Sequence, residues 1–105
     1  HGVVQDDTFF SMVARLSPHD RRDLQRLVPR EDILWALQDC GNATLARFTQ
    51  GMGRAGQEQL MADIGFTKKR GEEPDQRVCL TAAARLRIID AIRLVWRFRA
   101  EEDNA

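Results

Sequence analysis

The sequence predicts an all-α fold: a compact domain of six helices joined as short hairpins, closed by a long amphipathic final helix. Three observations lead there. Alternation of apolar and polar residues never lasts more than a few positions, tyrosine is absent and the valines are scattered, so strands are not expected. Apolar residues recur instead at three- and four-residue spacing along most of the chain. Proline, glycine and capping residues break this periodicity at short intervals, leaving connections mostly of two to four residues, as in packed helical hairpins or armadillo-like stacks.

The first helix is expected from Asp7 to Leu16, with Phe9, Val13 and Leu16 on one side. Ser17-Pro18 reads as an N-cap followed by proline at the first helical position, where its missing N–H costs nothing. Asp20, three residues after the cap, completes a near capping box, and Leu24, Leu27 and Val28 form the apolar side. Pro29 restarts the pattern. Glu31 and Asp32 put two acids in the first turn of a third helix, Ile33, Ala36, Leu37 and Cys40 make its stripe, and Gly41-Asn42 ends it. A short fourth helix carries Leu45, Phe48 and Met52. A fifth covers Arg54 to Ile64, with Leu60 and Ile64 inward, and is expected to close on Gly65-Phe66.

Residues 67–80 are expected to form a loop: TKKRGEEPDQ has loop composition, and Arg77-Val78-Cys79-Leu80 reads as short and extended. Thr81 is then a cap for a helix from Ala82 to about Ala100, with Ala84, Ile88, Ala91, Val95 and Phe98 in its stripe, flanked by Ile89, Ile92 and Trp96. Residues 1–6 read as a tag remnant and disordered start, residues 7–100 as one domain, and residues 101–105 as a frayed tail.

Composition excludes several classes. Hydrophobic residues are 43% and charged residues 30% of the 105 positions, as in a globular domain and unlike a disordered chain. No apolar run reaches the roughly 18–20 residues of a membrane span, and no stretch resembles a secretion signal. Cys40 and Cys79 are isolated in sequence and His19 is the only usable histidine, so no metal site is expected and two buried thiols are expected rather than a disulfide. Gly51-Met52-Gly53-Arg54-Ala55-Gly56 fits the letters of a dinucleotide fingerprint, but without a βαβ unit it reads as a helix–helix turn. No acid, base and nucleophile can be named together, so neither an enzyme nor a cofactor is expected.

Sixteen basic and sixteen acidic side chains give a net charge of zero. That zero is a cancellation. Residues 1–67 hold seven basic and nine acidic groups, net −2, residues 68–99 hold nine and four, net +5, and the remaining tail contributes −3. The basic half raises nucleic-acid binding as a minor alternative, but it lacks interleaved aromatics.

Along most of its length the sequence resembles the C-terminal domain of FliG, the flagellar motor switch protein. The segment Phe10 to Leu37 runs parallel, without a gap, to the family's aromatic residue, its "DDRS"-type helix start, and its "LLREV" and "DLALAL" patterns. Leu24, Arg26, Val28, Asp32, Ala36 and Leu37 fall in register there. Phe48 and Met52 then match "KFLxNMS", Leu60 and Asp63-Ile64 match "ILRDDL", and RIIDAIRLVWRF resembles the closing helix. The family's short "GPVRLS" link is replaced by a longer segment.

The resemblance implies a rotor-ring domain that faces a stator protein of the MotA type and works through surface charges. It further implies other rotor switch proteins as partners, no small-molecule substrate, no direct membrane insertion, and a cytoplasmic position at the flagellar basal body. Carried over position by position, the family's "ALKG" lysine becomes Gln38 and its "SQRA" arginine becomes Ala55, with Arg54 adjacent. The paired aspartates become Ala62 and Asp63. The "GPVR" arginine has Arg77 or the run Lys68, Lys69 and Arg70 as candidates, and the "MFxF" hinge keeps one aromatic, Phe10. The expected partner-contact residues are therefore Asp63, Arg54, Lys68, Lys69, Arg70 and Arg77. The alternative is a divergent adaptor of the same fold in another assembly.

Overall fold

Serine before proline, acids in first turns and glycines at turns lay out six helices in the computed structural model, which describes the backbone of residues 2–103 and the side chains of residues 7–103. They are α1 (Gly2–Ala14), α2 (Pro18–Leu27), α3 (Arg30–Ala36), α4 (Asn42–Thr49), α5 (Arg54–Lys68) and α6 (Pro74–Asp103). No strand occurs among the described residues. Six short-linked helices make the chain all-helical and compact, with extents of 48 × 35 × 22 Å.

The final helix is the spine. At 30 residues and 1.5 Å per residue it is about 45 Å long, comparable with the longest dimension of the molecule. α1, α2 and α3 pack on it, α4 lies against α1 and α2, and α5 rests on α3. The core joins Phe9 and Val13 of α1, Leu24 of α2, Ile33 and Ala36 of α3, Phe48 of α4, Leu60 of α5, and Ile88 and Ile92 of α6. Because three helices surround α6, its buried positions spread beyond one stripe, to Ala84, Arg85, Ile88, Ile89, Ala91, Ile92 and Val95.

Local chemistry explains the ends that fall where expected. The amide of Asp20 donates to Ser17 Oγ at 3.1 Å and the amide of Ser17 donates to Asp20 Oδ2 at 3.2 Å, a complete capping box. Gly51, between α4 and α5, has φ +84°, and a Cβ there would stand 2.7 Å from Pro18 Cβ. Only glycine fits that turn.

Elsewhere the boundaries move. α1 begins at Gly2, so the backbone of residues 2–6 is helical; His1 lies outside the described residues. α5 does not stop at Gly65 but runs three residues further, with Thr67 Oγ1 donating to the Asp63 carbonyl at 2.9 Å. The glycine that takes the left-handed conformation after this helix is Gly71, φ +92°. α6 then starts at Pro74 instead of Ala82, so the expected loop 67–80 shrinks to residues 69–73. Proline supplies the pre-set φ of the first helical position. The loop-like composition belongs to helix ends standing in water, since Glu73, Asp75, Gln76, Val78 and Cys79 are all exposed. The tail stays helical through Asp103, and residues 104–105 lie outside the described residues.

Four expected buried positions are also corrected. Leu27 and Phe98 are 46% and 51% exposed, because they line an open cleft between α2 and α6. Against the expectation of two buried thiols, Cys79 is exposed and Cys40 half-buried, both free, because Cys79 sits on the water face of α6.

Candidate interaction surface

α5 touches the rest of the fold mainly through α3, which leaves most of its circumference in water. The expected contact residues sit on that exposed circumference, on the turn that follows, and at the start of α6. The structure ties most of them to acids or bases of the same chain. Asp63 Oδ2 accepts from Arg30 Nε at 3.1 Å and from Arg30 Nη2 at 2.7 Å, while its Oδ1 accepts from Gln59 Nε2 at 2.8 Å. The Arg30 hydrogen bonds, reinforced by Gln59, hold the Asp63 carboxyl below its ordinary range. Because α5 continues to Lys68, Asp63 lies more than a turn from the helix end.

Arg54 opens α5 and, among the described residues, reaches only Glu58, four residues on, at 3.2 Å, with 92% of its side chain in water. Lys68 pairs with Asp39 across the turn at 3.5 Å. Arg70 donates to Glu31 at 2.9 Å and lies 3.2 Å from Glu72, with its guanidinium 6.0 Å from the centre of the Trp35 ring. The bond to Glu31, then the charge of Glu72, raises the Arg70 pKa further. Lys69 is exposed and Arg77 half-buried, and neither has a side-chain partner among the described residues. Lys68 and Arg77 meet at one cleft; Arg54, Asp63 and Arg70 do not line it.

Each of these ion pairs except Arg70–Glu72 has at least one partner about half or more in water. Such pairs gain little net free energy and exchange readily for an outside charge. Asp63, Lys68 and Arg70 thus present fixed charges that a partner can capture.

The other positions carried over by resemblance fare differently. Gln38 is only 2% exposed, and its amide nitrogen donates to the carbonyls of Leu34 and Ile64, each at 3.0 Å, stitching α3 to α5. It is a structural clamp. Phe10 is half-buried against the core.

The basic stretch 68–99 does not form a continuous cationic face. Arg85 is buried, with Nε donating to the Ala36 carbonyl at 2.9 Å and Nη2 to the Gln38 carbonyl at 2.8 Å, and its guanidinium lies 5.3 and 5.1 Å from the Phe9 and Phe10 rings. It satisfies carbonyls that the end of α3 would otherwise leave open. Arg87 makes a two-bond fork to Asp32, at 3.0 and 2.7 Å, and the Asp32 bond raises its pKa. Arg99 pairs with Asp20, which also accepts from Trp96 Nε1 at 3.3 Å.

Sequence reasoning missed three features here. Arg30 as the partner of Asp63 gave no local signal, since the two are 33 positions apart. Arg85 looked like one more surface arginine, although its place one residue after Ala84 in the apolar stripe was a usable hint. The exposed apolar side chains Phe66 (73%) and Val78 (68%) were hidden by wrong helix ends.

No group of His, Cys, Asp and Glu among the described residues could hold a metal ion, and no helix there is long and apolar enough to cross a membrane. The chain matches no protein-family model, no curated protein and no solved structure.

Proposed function

We propose that this chain is a force-transmitting rotor domain of the FliG C-terminal type, part of the flagellar switch complex and facing a MotA-type stator. In this reading it sits in the cytoplasm against the inner membrane at the basal body, beside other rotor switch proteins. The reading is supported by the residue pattern that runs in register from Phe10 to Ile64 and resumes in the last helix. One structural observation carries it further: Asp63, Lys68 and Arg70 stand on one exposed helix and its turn, each held by a solvated pair that an outside charge can displace.

The test separates charge from stability. Asp63→Lys, placed at the native locus, should reduce swimming in soft agar. Combining it with Arg30→Glu restores the pair with inverted signs, so the melting temperature should return while swimming stays impaired. Normal swimming by the double variant would remove the stator reading.

A second reading, an adaptor of the same fold in another assembly, is favoured by the burial of Gln38, which stands where the resemblance has a charged lysine. Co-purification of rotor or stator proteins with the intact chain argues against it. Nucleic-acid binding through the basic half is the weakest reading, because Arg70, Arg85, Arg87 and Arg99 are all engaged within the chain. It requires binding that falls steeply with salt.

A further inference from the structure

The first turns of α6 meet α1 and the end of α5 around a cleft of about 700 Å³, within the range of sites that enclose small ligands or single anchored side chains. Its apolar wall is made by Phe10, Pro74, Val78 and Ala82. Val78, 68% exposed, turns an isopropyl group to water in a helix whose opposite side forms the core.

Three cations, Arg77, Lys68 and Arg85, and one carboxylate, Asp39, line the same cleft. Arg77 is half-buried, yet its guanidinium has neither a carboxylate nor a carbonyl to bond among the described residues. Its nitrogens stay open to water and to an incoming anion, and its place in the opening of α6 sets the cation against the positive end of the helix dipole. Lys68 adds a second charge, held only by its 3.5 Å pair with exposed Asp39. Arg85, at the inner end, is already committed to the α3 carbonyls. Gln38 also borders the cleft, with its Oε1 closed to water and its Nε2 spent on the Leu34 and Ile64 carbonyls.

The occupant these groups complement has an anionic end and an apolar body. The carboxyl-terminal residue of a peptide with an apolar side chain offers both. We propose that the cleft binds such a chain end: carboxylate to Arg77 and Lys68, side chain against Phe10, Pro74 and Val78. The inference goes beyond the rotor reading and does not depend on it.

The probes are the tripeptide acid acetyl-Ala-Leu-Leu, its C-terminal amide, and octanoate, each titrated into the full chain and followed by amide chemical shifts. The acid should bind saturably, shift residues 68 and 75–82, and bind at least about tenfold tighter than the amide, the worth of one charge-assisted bond. Arg77→Gln should lower the acid's affinity about tenfold and Val78→Asp should abolish its binding. Arg97→Gln, which alters an exposed cation away from the cleft, should change nothing. Unchanged far-ultraviolet circular dichroism and melting temperature confirm that the variants fold. Equal binding of acid and amide, shifts elsewhere on the surface, or an Arg77→Gln variant with full affinity would overturn the proposal. So would binding of octanoate without the peptide, which would mark the cleft as a site for small free carboxylates.

Discussion

Replacing Arg85 with methionine isolates what a buried guanidinium contributes to this fold. Methionine keeps an unbranched apolar stem of similar reach in a site that is 6% exposed, so the packing of α6 on α1 and α3 is largely retained. What disappears is the fork that joins α6 to the end of α3: the 2.9 Å bond to the Ala36 carbonyl and the 2.8 Å bond to the Gln38 carbonyl. Hydrogen bonds from a charged donor are each worth about 1.5–3 kcal/mol on truncation, and the stacking on two phenylalanine rings adds about 0.5–1 kcal/mol. Against this stands the relief of desolvating a cation, which in some proteins equals or exceeds the gain. Here the guanidinium closes a helix end whose carbonyls have few other donors, so the bonds should win. The net loss expected is about 3 kcal/mol. For a domain of this size that lowers the melting temperature by about 12–24 °C. Urea denaturation followed by circular dichroism should show the midpoint falling by about 2 M with the slope unchanged. Arg85→Lys, which retains one charge but only one reach, should lose about half as much free energy. A methionine variant within about 0.5 kcal/mol of the parent, or more stable than it, would refute the reasoning.

Two further outcomes follow from the geometry. Gly51→Ala should destabilise by about 2 kcal/mol in the same assay, since it combines a left-handed backbone with a Cβ driven against Pro18; Gly53→Ala, which meets open space, should be near neutral. Asp63 has a depressed folded pKa, so its stabilisation is present above the unfolded value near 3.9 and is lost as pH falls through the folded one. Asp63→Asn should therefore flatten the acid limb of the stability–pH curve below about pH 4 and leave its shape above pH 5 unaltered, as read by melting temperature across that range.

Much of the fold was legible because it rests on local chemistry. The Ser17-Pro18-His19-Asp20 start of α2 is a self-contained hydrogen-bonding unit, and apolar spacing alone marks Phe9, Val13, Leu60, Ile88 and Ile92 for burial. The region from Gly65 to Leu80 failed for a physical reason. A helix end that projects into water needs no apolar periodicity, so its composition matches that of a loop. Two glycines six residues apart both qualified as stops, and the chain uses Gly71.

The candidate surface was legible only as a set of residue types. Charge counting located an excess of +5 between residues 68 and 99, but a count does not distinguish an arginine that faces water from one that closes a helix. That distinction arises when distant segments meet.

The sequence by itself determined the helical class, the Ser17-capped start of α2, the turn at Gly51, and most of the core, because these depend on neighbours within about four residues. Tertiary packing decided which charges remain free. Arg30 and Asp63, 33 positions apart, and Arg85 and Ala36, 49 apart, meet only because α5 lies on α3 and α3 lies on α6. The same packing left Arg77 without an acceptor among the described residues, beside a cleft whose walls come from three different helices.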